Sequence, residues 1–198
     1  MFAFMESIEK PLLGDRKSYM PITVAKLIDE VESYIAKPEF FSDVQVALKL
    51  QRIYYLQYNE LAAKLESDLA MVLSRLEAAK NNLELVKKFI ANPDEEHQTL
   101  MQIAQGIFRW VTVQPVKKVT LQVGTVLQME FELQEAEEYI KKDITSLVQQ
   151  RLQHEHDIDY LQDQVNTIEM NLAVLYKHGV EKQKRALEGG LAGLSPRP

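Results

Sequence analysis

Two long stretches of this chain contain neither glycine nor proline, and they limit the possible fold more than any other feature. They run over residues 39–92 and 125–178 of the 198-residue sequence. Most of each stretch carries apolar residues at alternating steps of three and four, which is the pattern of a coiled-coil seam. Helices of such length far exceed the globular mean of roughly 11–12 residues. We therefore predict two long helices, over residues 42–92 and 134–178.

The seam of the first helix keeps one register for about seven heptads. Its residues are Val44, Leu48, Gln51, Tyr55, Tyr58, Ala62, Leu65, Leu69, Val72, Leu76, Ala79, Leu83, Val86 and Ile90. The second seam is broken by Arg151 and His154, where Val148 and Leu152 offer a shifted register. Its apolar residues are Ile140, Ile144, Leu147, Ile158, Leu161, Val165, Ile168, Leu172 and Leu175. Folding back antiparallel lets one chain bury both seams against each other.

The segment between the helices alternates apolar and polar residues at period two, as half-buried strands do. The apolar faces of its last two strands coincide only if the turn at Gly124 has an odd number of residues. We therefore predict a three-residue loop over residues 124–126, which places Leu121 opposite Met129 and Lys118 opposite Glu132. A weaker hairpin turns at Gln105–Gly106 upstream. Residues 99–133 are thus predicted to form two β-hairpins.

Two isolated hairpins leave unpaired strand edges and an apolar face, which are liabilities in a monomer. The same block from several chains closes into a barrel without such edges. The predicted fold class is therefore mainly α with small β: a long antiparallel coiled coil whose two central β-hairpins join an inter-subunit β-barrel. The residues expected to mediate subunit assembly are Ile107, Phe108, Trp110, Val119, Leu121, Val123, Leu127, Met129 and Phe131.

The remaining segments are short. Residues 1–20 show no periodicity and are expected to form a flexible leader, and the charged and then Gly- and Pro-containing residues 179–198 a disordered tail. Ser42 and Gln45 have capping-box spacing, which predicts the start of the long helix. Residues 21–37 are predicted to form a short amphipathic helix, because six apolar or aromatic residues fall on one side. They are Val24, Leu27, Ile28, Val31, Tyr34 and Ile35.

Composition argues against several functional classes. The net charge of −6 provides no positive field for nucleic acid, and no apolar run approaches the roughly 18 residues of a membrane span. The absence of cysteine suits a reducing compartment. His154 and His156 point to different sides of a helix, and acidic residues such as Asp157, Asp159 and Asp163 are expected on solvated faces. We predict no cofactor, no metal and no enzymatic activity, since no nucleophile, base and orienting group assemble.

The order of these elements resembles prefoldin, a chaperone built from six subunits. Two segments carry the resemblance most clearly: residues 119–133, VTLQVGTVLQMEFEL, and residues 157–165, DIDYLQDQV, with Glu169–Tyr176 following. Two hairpins between the helices resemble the α-type subunits, because β-type subunits have one. Residues 21–178 are therefore identified as a single prefoldin-like domain. Phe40 and Phe41 depart from the pattern, since such subunits usually have a polar linker there.

The resemblance implies a function and partners. In prefoldin, one further α-type and four β-type subunits complete the hexamer. The complex binds unfolded actin and tubulin without ATP and delivers them to the cytosolic chaperonin, so a cytoplasmic location is implied. Its coiled-coil arms bind clients near their ends. The corresponding candidate client-binding residues here are Phe40, Phe41, Val44, Leu172, Leu175 and Tyr176.

Two alternatives stay open at this stage. Apolar residues at helical spacing are more often core than binding surface, so the six candidate residues alternatively close the end of the coiled coil. The chain as a whole alternatively serves as a coiled-coil tether or cytoskeletal scaffold that associates through its strands.

Overall fold

The computed structural model describes residues 17–124 and 126–192, and it describes side chains as far as residue 188. Two long helices flank two hairpins, as the sequence predicts. The elements are α1 (Val31–Ile35), a 3-10 turn (Pro38–Phe40), α2 (Val44–Ala91), β1 (His97–Ala104), β2 (Ile107–Val113), β3 (Lys118–Val123), β4 (Leu127–Glu132) and α3 (Leu133–Ala192).

The start of α2 differs slightly from the prediction. Asp43, and not Ser42, caps the helix, because the Gln45 N–H donates to Asp43 Oδ1 at 2.8 Å. Phe41 and Ser42 precede the cap with φ angles of 51° and 58°, in the left-handed region. A carboxylate accepts an N–H of the first helical turn more strongly than a hydroxyl and also suits the positive end of the helix dipole. The capping box predicted at Ser42 is therefore wrong by one residue.

Within the described residues, 17–69 and 152–192 form one compact unit and 70–151 a second. In the first unit the two seams meet: Tyr58 and Leu65 of α2 share a buried cluster with Leu161, Val165 and Ile168 of α3. A neighbouring cluster joins Val44 and Leu48 to Leu175. Higher numbers on α2 thus pair with lower numbers on α3, so the helices are antiparallel and the predicted coiled coil is confirmed.

In the second unit the same seams stay buried, from Val72 to Val86 on α2 and from Leu133 to Val148 on α3. Val148 is buried here, and Leu152 is buried in the first unit, so both follow the shifted register that the sequence offered. Arg75 lies 4.0 Å from Asp143, an exposed ion pair across the two helices that contributes little to stability.

The hairpins are two separate two-stranded antiparallel sheets, β1–β2 and β3–β4. In the second hairpin Leu121 pairs with Met129 and Lys118 with Glu132, and the pair Val123–Leu127 closes a three-residue loop. This register was predicted from the parity of the apolar positions. In the first hairpin Ala104 pairs with Ile107 around the predicted Gln105–Gly106 turn, next to a bulge between Gln102 and Ala104.

The short helix predicted over residues 21–37 is wrong over most of its length. Only Val31–Ile35 is helical, and residues 21–28 have no regular secondary structure. Val24 and Leu27, which the prediction placed on the buried side, are exposed. The residues that face inward are instead Ile22, Ala25 and Ile28, at a spacing of three. That is the period of the polyproline II conformation, which has three residues per turn.

Both predicted ends also require correction. Residues 1–16 of the predicted flexible leader lie outside the described residues, but Tyr19 and Met20 bind α3 through their main chain. At the other end α3 continues through Gly179 to Ala192, so a disordered tail from residue 179 is wrong for that part. Residues 180–187 are mostly strong helix formers, and they outweigh the cost of about 1 kcal/mol for Gly179. Gly189 and Gly190 lie in the last turn of the helix. Residues 193–198 lie outside the described residues.

Candidate functional site

The predicted assembly surface lies on the hairpins, and its larger side chains are exposed. Trp110 is 70% exposed, and Ile107, Phe108, Leu127 and Met129 are also exposed. The four other predicted residues are half-buried: Val119, Leu121, Val123 and Phe131. Because both sheets have only two strands, each strand keeps one unpaired edge. Apolar side chains beside open edges are typical of a surface for strand-mediated association.

The second hairpin has a clear division of its two faces. The cross-strand pairs Val119–Phe131, Leu121–Met129 and Val123–Leu127 give one apolar face, and the intervening pairs are polar. Phe131 also stacks on Tyr139 in the first turns of α3, with ring centroids 5.2 Å apart. On the opposite face Lys118 Nζ lies 3.5 Å from Glu132 Oε1. The apolar face is thus fixed in orientation relative to the start of α3.

The six predicted client-binding residues do not form one surface. Phe40, Val44 and Leu175 are buried in the cluster that closes this end of the coiled coil, and Leu172 packs against it. Phe40 also stacks on Tyr34, with centroids 4.7 Å apart. These four side chains therefore pack in the core at this end, and for Val44, Leu172 and Leu175 the packing follows from their seam positions. Only Phe41, which is 84% exposed, and Tyr176 present large side chains to solvent.

The first unit contains a feature that the sequence prediction missed: three buried polar residues spaced seven apart on α3. These are Asp157, Gln164 and Asn171, called the polar row below. Each holds main-chain groups of residues 19–28, called the N-terminal strap below. The Asp157 carboxylate accepts the N–H groups of Tyr19 and Met20, both at 2.8 Å. The prediction that Asp157 lies on a solvated face is wrong, since it is 1% exposed.

The other two residues of the polar row bind the strap through their carboxamides. Gln164 Oε1 accepts the Ala25 N–H at 2.9 Å. Asn171 Oδ1 accepts the Ile28 N–H at 2.8 Å, while its Nδ2 donates to the Lys26 carbonyl at 2.9 Å. A C=O group and the N–H group two residues later lie on the same edge of an extended chain. Asn171 therefore pairs with the strap much as a neighbouring β-strand does.

Residues of α2 complete the contact. Tyr58 Oη donates to the Thr23 carbonyl at 2.8 Å, and Gln51 Nε2 donates to Tyr34 Oη at 2.8 Å. Burial raises the pKa of Tyr58 above its ordinary 10.0, and the neighbouring Tyr160 and Tyr54 raise it further. Burial also raises the pKa of Tyr34, against the opposing effect of its hydrogen bond with Gln51. Both hydroxyls therefore stay protonated, so Tyr58 donates to the strap at neutral pH.

A sequence signal for the polar row did exist. Asp157, Gln164 and Asn171 repeat every seven residues, each four residues before a seam residue, namely Leu161, Ile168 and Leu175. Polar residues in strict heptad phase beside a seam indicate a third element that packs there. The residue types alone, without their spacing, did not predict that these three side chains are buried.

No cluster of metal-ligating side chains is found in the part of the chain that the structure describes. Among residues 17–124 and 126–192, no three His, Asp or Glu side chains are grouped so as to hold a metal ion. His156 instead lies 3.3 Å from Asp157 and edge-on to Tyr19. Within the same ranges no helix is both long and apolar enough to span a bilayer.

Comparison with known proteins finds one family model and several similar chains. A family model described as prefoldin subunit matches residues 58–178. Prefoldin subunit 3 of Drosophila melanogaster is 31% identical over 187 residues, which are 94% of this chain and 95% of the relative. The probable prefoldin subunit 3 of Caenorhabditis elegans is 24% identical over 88% of this chain and 94% of its own. A chain in a cryo-EM structure of filamentous PFD from Methanocaldococcus jannaschii covers 60% of this chain and 94% of its own, at 19% identity and a TM-score of 0.46.

The span of the family model and the identity to the fly relative show that this chain belongs to the prefoldin subunit family. It is therefore a subunit of a chaperone whose members assemble with other prefoldin subunits, and the family is not one of enzymes. Within the family its similarity is to the subunit 3 type, from insect to human. The predicted resemblance to an α-type prefoldin subunit is confirmed.

Proposed function

We propose that this chain is one of the two α-type subunits of a cytoplasmic prefoldin heterohexamer, together with one further α-type and four β-type subunits. The assembled complex binds unfolded actin and tubulin without ATP and delivers them to the cytosolic chaperonin. The family supports the chaperone role, and two hairpins support the α type. The cysteine-free sequence suits a reducing cytoplasm.

The observation that carries the proposal is the exposed apolar surface of the two hairpins. Side chains as large as Trp110 and Phe108 are more than half exposed, beside strand edges that are open. Burying such a surface against sister hairpins recovers about 25 cal/mol for each Å² of apolar area removed from water. Closure of the strands into a shared barrel also satisfies their free N–H and C=O groups.

The coiled coils supply client binding in this proposal. A single arm offers only a few exposed apolar groups, so it binds an unfolded chain weakly. Six arms acting on one client raise the overall affinity, because each later contact is intramolecular. No nucleotide is required, since capture and release follow from these weak contacts alone.

Assembly tests the first half of the proposal. The chain is mixed with the other five prefoldin subunits, and the mass of the product is measured. Trp110 is the only tryptophan in the sequence, so its emission reports on the hairpin surface and is expected to shift to shorter wavelength on assembly. A hexamer with buried Trp110 supports the proposal. A chain that stays monomeric, or forms only a parallel dimer, contradicts it.

Client handling tests the second half. Denatured actin and tubulin are diluted into the assembled complex with and without ATP, and light scattering follows aggregation. We expect equal suppression in both conditions, followed by transfer of client to added chaperonin. A complex that binds folded cytoskeletal proteins but leaves aggregation unchanged favours the tether or scaffold alternative instead.

A further inference from the structure

The N-terminal strap follows the groove between α2 and α3 in an extended form. Its inward side chains, Ile22 and Ala25, pack on the cluster of Tyr58, Leu65 and Leu161. A third inward side chain, Ile28, is buried in the neighbouring cluster, and the others are exposed, including Val24 at 61% and Leu27 at 53%. The strap therefore covers apolar surface of the coiled coil with few side chains of its own.

The spacing of the contacts matches an extended chain. One heptad of α3 advances about 10.5 Å, and three extended residues cover about the same distance. Ala25 and Ile28, three residues apart, bind Gln164 and Asn171, one heptad apart. Between Met20 and Ala25 the strap has slack, which is taken up by a tight turn in which the Ile22 N–H donates to the Met20 carbonyl at 2.8 Å.

The groups that the coiled coil holds in the strap are main-chain groups. Asp157, Gln164 and Asn171 bind four N–H groups and one C=O, and Tyr58 binds a further C=O. Every residue other than proline offers an N–H and a C=O of this kind. A site that binds main-chain groups beside apolar surface therefore accepts many sequences, provided that the chain is extended.

We propose that this groove, formed by the polar row and by Tyr58, Leu65 and Leu161, is a binding site for extended polypeptide. The strap occupies it in cis, and an unfolded client chain takes its place when the strap is released. This proposal rests on the proposed chaperone function and names a site for it. Because docking of the strap competes with client, the apparent affinity for client equals the intrinsic affinity multiplied by the fraction of molecules whose groove is open.

The decisive variant is A25P, studied in the full-length chain within the assembled complex. Proline suits an extended strap but lacks the N–H that Gln164 accepts. The matched control is V24P, because the Val24 N–H donates to no described residue and its side chain is exposed. The probe is fluorescein-labelled, reduced and carboxymethylated α-lactalbumin, which stays unfolded. We expect A25P to bind it about five- to thirtyfold more tightly than the wild type or V24P.

A second pair of variants releases the strap by a different route. A25D places a carboxylate against the apolar cluster, whereas V24D places the same charge in solvent. We expect tighter probe binding for A25D alone. Circular dichroism of each assembled complex checks that the helices are unchanged.

Competition locates the binding site. A synthetic peptide of residues 17–30 is expected to displace the probe from the A25P complex. The same peptide N-methylated at Ala25 loses one N–H but no side chain, and is expected to compete about five- to thirtyfold less well.

Two results overturn the proposal while the chaperone function stands: equal probe affinity for A25P, A25D and their controls, or no displacement by the strap peptide. In that case the strap is a permanent part of the fold. If the wild-type complex neither binds the probe nor suppresses aggregation, the proposed function itself fails.

Discussion

The two compact units of this chain treat their apolar surface in opposite ways. In residues 17–69 and 152–192 the seam is closed by the partner helix and then covered by the strap, and buried polar groups find partners within the chain. In residues 70–151 the hairpins leave Trp110, Phe108 and Met129 exposed. The first unit thus has its seam covered on a second side by the strap, whereas the hairpins of the second unit keep large side chains exposed beside open strand edges. This contrast teaches that the seam, which both units bury, stabilises the chain, whereas the candidate surface for association lies on the hairpins.

The largest effect is expected in the closed seam. Leu161 is fully buried between the helices, so L161A removes packing and leaves a cavity. We expect the free energy of unfolding to fall by about 2–5 kcal/mol, measured by urea denaturation. L56A removes an exposed leucine from α2 and serves as the control, with a change of at most about 0.5 kcal/mol. Equal losses in the two variants contradict a tight seam.

Substitution on the hairpin surface is expected to weaken association with partner subunits and to leave the stability of the isolated chain unchanged. W110S leaves the unfolding of the isolated chain nearly unchanged, because Trp110 is mostly exposed there. Its association with partner subunits is expected to weaken by about 2 kcal/mol or more, as for an interface anchor. Sedimentation of the mixed subunits measures this. V126S changes a residue of the second hairpin's turn that is 89% exposed, and it is expected to keep full association. If W110S associates as strongly as the wild type, Trp110 does not contribute to the interface.

The polar row gives an intermediate effect. N171L leaves the Ile28 N–H and the Lys26 C=O without their partner, which lowers the free energy of unfolding by about 1–3 kcal/mol. The loss stays in this range because a released strap exposes both groups to water. Hydrogen exchange at the Ile28 amide is therefore expected to accelerate while the seam stays protected. N166L is the control, since Asn166 is exposed on the same helix. Unchanged exchange in N171L shows that Asn171 does not hold the strap.

The smallest effect is expected from pH. Because burial raises the pKa of Tyr58 above 10.0, the folded state favours the neutral hydroxyl. The contribution of the neutral Tyr58 hydroxyl to the free energy of unfolding is complete below about pH 10, and it is lost as the pH rises through the raised pKa. Unfolding at about pH 8 and about pH 11 is compared for the wild type and Y58F, which cannot ionise. We expect a larger loss in the wild type, by under about 1 kcal/mol. An identical pH dependence contradicts this contribution of Tyr58.

Sequence alone was sufficient where a pattern is local and repeats. The heptads of α2 and α3 predicted the buried seam, and the parity of apolar residues predicted the pairs Leu121–Met129 and Lys118–Glu132. These predictions hold because each helix or strand buries the face on which its own sequence period places the apolar residues.

The strap was not predictable in the same way. Ile28, Val31 and Ile35 fit a helical period, but Ile22, Ala25 and Ile28 fit a period of three equally well. The choice between them is made by hydrogen-bond partners on α3, more than 130 residues away in the sequence. Gly179 failed as a stop signal for a related reason, since the residues around it decide whether a helix continues.

The polar row has a consequence for how this region diverges among relatives. Since Gln164 and Asn171 bind amides and carbonyls that nearly every amino acid provides, the outward positions of the strap, such as Val24 and Leu27, can change without loss of these contacts. The three helix positions have no such freedom. Among relatives, the three α3 positions are therefore expected to vary less than the outward positions of the strap that they hold.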